Sequence, residues 1–113
     1  MKQYFTDDEL RCKCCGKLII DQDFLERLNK ARELTGFPFI MTSGYRCPTH
    51  NVKVGSKSTN HTTGKAADIE CMDPHLRYAM VRAMILTGML GIGIGLRFIH
   101  CDINRASWAF WTY

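Results

Sequence analysis

The sequence predicts an α+β fold, a small, mainly antiparallel sheet with two main helices. Three observations lead there. Two stretches, 21–35 and 73–88, carry apolar residues at helical spacing, and short apolar runs of strand length lie between and after them. The segment 44–64 joins two of those runs and is too rich in Gly, Ser, Thr and Asn to be core.

The first helix is "DQDFLERLNKARELT" (21–35), with Phe24, Leu25, Leu28, Ala31 and Leu34 as its apolar stripe, Asp21 as cap and Gly36 as stop. "FPFIMTS" (37–43) reads as a buried strand and 44–64 as a long loop. "KAADIEC" (65–71) is the next strand. Asp73 then caps a second helix with Pro74 at its first position and Leu76, Ala79, Met80, Ala83 and Met84 on its inner face. "GIGIG" and "RFIHCDI" follow as strands, and the aromatic tail "SWAFWTY" packs on the domain or pairs at a sheet edge.

The chain has 113 residues, and we expect a single domain over 1–113 without internal repeats. An apolar content of 46% with 23% charged residues excludes a disordered chain. No segment is long and apolar enough to span a membrane, and "MKQYFTDDEL" shows no secretory h-region. No secretory signal is therefore expected. The net charge of +4 is spread without a run of five basic residues, which argues against nucleic acid as partner and leaves room for an anionic polymer.

Six cysteines are present. Cys71 and Cys101 sit in apolar runs and read as buried free thiols. Cys12, Cys14 and Cys15 in "CKCCGK", together with Cys47, could hold a second metal, form a disulfide to Cys47, or remain free. The C-x2-C spacing of zinc sites occurs only as Cys12 and Cys15, so one zinc ion per chain is the expectation.

The chemistry concentrates elsewhere. Asp68 lies in an otherwise apolar strand, where a lone carboxylate is costly to bury without a cation or donors. His61 precedes it by seven residues in "HTTGKAAD". In "FIHCDI" (98–103), His100 and Asp102 alternate with Ile99, Cys101 and Ile103, so they project from one strand face. Two histidines and a carboxylate from different strands suit a catalytic zinc site, with three protein ligands and one open position. Each residue alone has a plainer reading: a loop histidine, a carboxylate paired with Arg46, a core histidine. His50 and Asn51 read as loop-shaping.

These residues carry a resemblance. "SGYR" (43–46), "NHTTGKAADI" (60–69) and "FIHCDI" together resemble the zinc D-alanyl-D-alanine carboxypeptidase family of cell-wall peptidases, in particular its small single-domain bacteriophage and prophage branch. The resemblance covers almost the whole chain, including the F-x3-E-x2-C start (Phe5, Glu9, Cys12); the hedgehog signalling domain shares the fold and zinc ligands. It implies His61, Asp68 and His100 as zinc ligands and Arg46 as a substrate-facing cation, with Tyr45 and Thr59 beside the substrate. Thr59 stands where many members have Ser. Arg97 and Phe98 stand where well-studied members place an acidic base or a histidine, so Asp102 is expected to act as general base. Its plainer role is an acceptor that orients a zinc histidine, as Arg46 could simply pair with Asp68 or Asp102. The implied function is zinc-dependent hydrolysis of amide bonds in peptidoglycan stem or cross-bridge peptides, as a D-Ala carboxypeptidase or endopeptidase, endolysin-like and monomeric, cytoplasmic until released or virion-associated. The alternative is a non-catalytic zinc-binding module of the same fold.

Overall fold

The computed structural model describes residues 2–56 and 58–113. Helix α1 (Asp7–Leu10) is short and is closed by a capping box, in which Thr6 accepts from the Glu9 amide and Glu9 reaches back to the Thr6 amide. Helix α2 (Gln22–Thr35) starts at the Asp21 side chain and stops at Gly36 in the left-handed region, as its sequence predicts. Strand β1 (Ile40–Ser43) is followed by α3 (Pro48–Lys53), a 3-10 turn (His61–Thr63) and β2 (Ala66–Glu70). Helix α4 (Pro74–Leu86) is capped by Asp73 with Pro74 at its first position. Strands β3 (Gly91–Ile94), β4 (Phe98–Asp102) and β5 (Ala109–Thr112) complete the chain.

The strands form one sheet in the order β1-β2-β4-β3-β5. Every pair is antiparallel except β3 with β5, where the aromatic tail adds a parallel edge strand. Strand alternation sorts the sheet into two chemically different faces. Ala67, Ile69, Ile92, Ile99 and Cys101 are buried in the core with Phe24, Leu25, Leu28 and Ala31 of α2 and Met80, Ala83 and Met84 of α4. The residues between them, Asp68, His100 and Asp102, belong to the opposite face, so the polar residues of the apolar strands all emerge on one side.

Two helix stripes are narrower than the periodicity suggests. Leu34 and Leu76, expected inward, are 60% and 42% exposed, and each lies in a terminal turn of its helix. Asn29 is buried in their stead and accepts a hydrogen bond from the Tyr4 amide. The expected loop 44–64 is also more structured than its composition implies. Cys47 caps α3 through its sulfur and Pro48 begins the helix, so a turn-rich sequence still forms helical turns.

The 3-10 turn ends on Gly64, whose φ of 72° favours glycine. A Cβ there would lie 2.5 Å from the Ile19 carbonyl oxygen and 2.9 Å from Ile20 Cα, both backbone atoms. Gly64→Ala is therefore expected to destabilise the protein by about 2–4 kcal/mol, combining left-handed strain with overpacking. A denaturant midpoint equal to that of the wild type would count against this tight contact.

Candidate metal centre

Sheet register builds the site. One row runs across the strands from Ser43 to Asp68, His100, Gly93 and Trp111, each paired with the next. His61 is delivered to this row by the 3-10 turn immediately before β2. The ligating atoms of His61, Asp68 and His100 all lie within 4.8 Å of one another. His61 Nε2 is 3.3 Å from Asp68 Oδ1, and His100 Nδ1 is 2.9 Å from the same oxygen.

Each of the three side chains is fixed from behind. His61 Nδ1 lies 2.8 Å from the Gly44 carbonyl, so it donates there and leaves Nε2 facing Asp68. His100 Nε2 donates to Asp102 Oδ2 at 2.6 Å, which directs Nδ1 to the same place. The outer Asp68 oxygen, Oδ2, accepts from Arg46 Nη2 at 3.0 Å. Arg46 is itself held by Ser43 Oγ at 2.9 Å and Asn51 Oδ1 at 3.3 Å, and Asn51 ties down the loop through the Ser58 carbonyl.

This donor set fits zinc. Ligands about 2.0–2.1 Å from a tetrahedral zinc stand roughly 3.3 Å apart, close to the observed separations around Asp68 Oδ1. Acceptors on the far side of both histidines raise ligand basicity and fix the tautomer, and the donor behind the carboxylate fixes its orientation. A proton between His100 Nδ1 and Asp68 Oδ1 occupies the position that a cation would take.

The electrostatics say the same. Burial opposes the charged Asp68, but hydrogen bonds from His100 and His61 and their charge outweigh it and hold the carboxyl well below its usual range. Burial likewise opposes a charged His100, yet its bonds to Asp102 and Asp68 raise its pKa above the ordinary histidine value. The signs are opposite. The Asp68 contribution to metal-free stability is present above its unfolded value near 3.9 and lost as pH falls through the depressed folded value. The His100 contribution is fully present below about 6.5 and lost as pH rises through its raised folded value. The metal-free protein should thus be most stable between about pH 4 and 6.5. Zinc must displace the His100 proton, so its affinity should rise by about tenfold per pH unit until that pKa is passed. Competition with a chelator across pH 5–8 tests this, and a flat profile would contradict it.

Other expected site residues lie elsewhere. Asp102 meets His100 at Nε2, the ring nitrogen away from Asp68. It is fully buried behind His100, and Arg105 grips it through Nε to Oδ1 and Nη2 to Oδ2, both at 2.8 Å. Asn60 Nδ2 adds a further bond at 3.2 Å. Burial raises the Asp102 pKa, but His100 and Arg105 overcome it and leave the carboxyl at about 2. Strand alternation put Asp102 on the correct face but could not reveal which imidazole nitrogen it meets. Tyr45 is 4% exposed, and its phenol is raised by burial and then by the charges of Cys47, Cys15 and Cys12, so it lies beside the cysteines and not in a substrate cleft. Thr59 is exposed, and its carbonyl accepts from the Thr62 hydroxyl. Cys12, Cys15 and Cys47 form a second cluster, and Cys14 is exposed.

Sequence reasoning missed four supporting residues. A Cβ on Gly93 would lie 2.6 Å from the Trp111 indole nitrogen, and one on Gly91 would lie 2.5 Å from Arg105 Nε and 2.6 Å from Asp102 Oδ2. The alternating glycines of "GIGIG" therefore leave one sheet face bare so that Trp111 can sit 5.4 Å from the His100 ring and Arg105 can reach Asp102. The signal was there, in glycines with a period of two.

A family model described as Peptidase M15 matches residues 3–102. The chain belongs to the peptidase M15 family. This is a family of metallopeptidases whose metal is zinc, and the match spans all three candidate ligands. No curated protein matches the chain significantly. In this M15 chain the candidate ligands open on a cavity of about 340 Å³ shared with Arg46, Phe98 and Tyr113. An adjoining cavity of about 480 Å³ shares Ser56, His100 and Tyr113 with it and adds Ser58, Asn60, Arg105 and Trp111. A slightly larger groove beside α4 is lined mainly by apolar side chains and lies away from the M15 site. Among the described residues no helix is long and apolar enough to cross a membrane.

Proposed function

We propose that this M15 peptidase hydrolyses amide bonds in peptidoglycan stem or cross-bridge peptides, as a D-Ala carboxypeptidase or endopeptidase of bacteriophage or prophage type acting as a monomer. The observation that carries the reading is the convergence of His61, Asp68 and His100 on one point at the floor of a cleft that also presents Arg46. His61 Nε2, Asp68 Oδ1 and His100 Nδ1 would hold the zinc ion. Bound there, zinc supplies Lewis acidity, polarising a carbonyl and acidifying water near neutral pH.

The chain's own residues do the rest. Arg46 and Arg105 balance Asp68 and Asp102 in charge, so a divalent cation leaves the cleft net positive and suited to a peptide carboxylate. Arg46 keeps Asp68 Oδ2 occupied, which leaves Oδ1 as the ligating oxygen. Its guanidinium, largely buried but lining the cleft, is placed to stabilise negative charge developing on a substrate oxygen. Burial raises the Tyr113 phenol, which stays a neutral donor in the cleft. Ser56, Ser58 and Asn60 offer hydrogen bonds to an extended peptide. Asp102 is a positioning residue, acting on His100.

A second reading, a non-catalytic zinc-binding module that recognises peptides, is favoured by the engagement of Asp102 with Arg105 and by Arg97 and Phe98 at the positions of the usual base. One experiment separates the two. Purified protein is assayed for bound zinc and for release of D-Ala or new amines from purified peptidoglycan, with and without chelator. Chelator-sensitive release supports the peptidase; stoichiometric zinc without release on several wall types leaves the binding module.

A further inference from the structure

The cysteines of "CKCCGK" take no part in the site above, yet the fold gathers them. The sulfur atoms of Cys12, Cys15 and Cys47 all lie within 4.8 Å of one another, and the three thiols are free. Tetrahedral zinc with Zn–S bonds of about 2.3 Å separates its sulfurs by roughly 3.8 Å, so a small contraction completes the set. The segment 12–16 is folded back on itself: the Gly16 amide donates to the Cys12 carbonyl at 3.0 Å, and Gly16 takes a φ of 73°. That turn returns Cys15 to Cys12 although Lys13, Cys14, Cys15, Gly16 and Lys17 are all exposed and bury no apolar surface to hold it.

Backbone donors already point at the sulfurs. The Cys47 amide donates to Cys12 Sγ at 3.3 Å, and the His50 amide donates to Cys47 Sγ at 3.4 Å. Amide donors stabilise thiolate charge, the form in which sulfur binds a metal. Three thiolates are a soft donor set that selects zinc over the hard cations. Lys13 and Lys17 flank the turn and offset its negative charge. The imidazole of His50, three residues after Cys47, stands outside this group, so the three sulfurs define the site.

We propose that Cys12, Cys15 and Cys47 bind a second, structural zinc ion through their three sulfurs. The ion staples the N-terminal segment to the stretch that carries Arg46. Those segments already touch through the Tyr45 amide and the Leu10 carbonyl at 2.9 Å, and Gly44 packs so closely on Leu10 that a Cβ would lie 2.6 Å from its oxygen. The second zinc therefore holds Arg46 and the Gly44 carbonyl, which orients His61, in register with the sheet. This revises the expectation of one zinc ion per chain, and it stands whether or not the cleft proves hydrolytic.

The test is metal stoichiometry with a spectrum that reports sulfur. The wild type should carry two zinc ions per chain, and Cys15→Ser and Cys47→Ser should each carry one. Because either variant could misfold, the wild type is also loaded with cobalt(II). Strong near-ultraviolet sulfur-to-cobalt charge transfer is expected in the wild type and in Asp68→Ala, and its loss in Cys15→Ser. A wild-type cobalt spectrum without thiolate absorption, or a disulfide among the three cysteines in protein purified without oxygen, would overturn the site.

Discussion

Asp68→Ala is expected to abolish zinc binding at the cleft and, with it, any hydrolysis. The magnitude follows from the geometry. Asp68 Oδ1 is the atom on which both histidines converge, at 3.3 and 2.9 Å, so its removal dissolves the centre and not merely one contact. The same change leaves the Arg46 guanidinium, with a side chain 12% exposed, without its carboxylate, and removes the acceptor that stabilises a charged His100. Breaking a largely buried pair by deleting one partner costs about 3–5 kcal/mol, reduced here by the solvent that still reaches both groups. Asp68→Asn keeps the shape and the bond from Arg46 but not the charge, and should recover part of the stability without the zinc. His61→Ala and His100→Ala should also lose stoichiometric metal at the cleft. Isothermal titration of each metal-free variant with zinc decides the matter. Tight, stoichiometric binding at the cleft retained in all three alanine variants would remove the centre.

The two main helices, the strands and the joint occurrence of His61, Asp68 and His100 were legible because their signals are local. Asp21 and Gly36 bracket a helix, and Asp73 with Pro74 opens another. Period two placed His100 and Asp102 on one face. What was not legible depends on register and on atoms. Nothing in "FIHCDI" states that Asp102 meets Nε2 while the metal position belongs to Nδ1; that follows from β2 pairing Asp68 directly opposite His100. Arg105 lies in a turn with no periodic pattern, so its grip on Asp102 emerges only when Gly91 clears the space. The helical turn at α3 was hidden because Cys47, an uncommon cap, does the work usually given to Ser or Asp. Tyr45 adjoins Arg46 in sequence, but adjacent residues face apart, and its ring went to the cysteines.

Asp102→Asn separates the two roles open to that residue. As a base, Asp102 would have to exchange a proton with water in the cleft, and its removal would abolish turnover while zinc stayed in place. The structure instead buries it completely, with Oδ2 accepting from His100, Arg105 and Asn60. An asparagine oxygen can still accept from His100 Nε2, but the amide group turns a donor toward Arg105, so the variant keeps the tautomer and weakens the clamp. Loss of a carboxylate behind a metal histidine typically costs about 10–100-fold in metal affinity or activity. The expected result is therefore weaker zinc, with turnover largely restored by added zinc and the acid limb of the kcat/KM profile left in place. A variant that binds zinc as the wild type does, cannot be rescued, and has lost its acid limb would return Asp102 to the role of base. Arg105→Gln should reproduce the positioning phenotype in milder form, since it loosens Asp102 without changing the ligand set, whereas a base role for Asp102 predicts that its main effect falls on the pH profile.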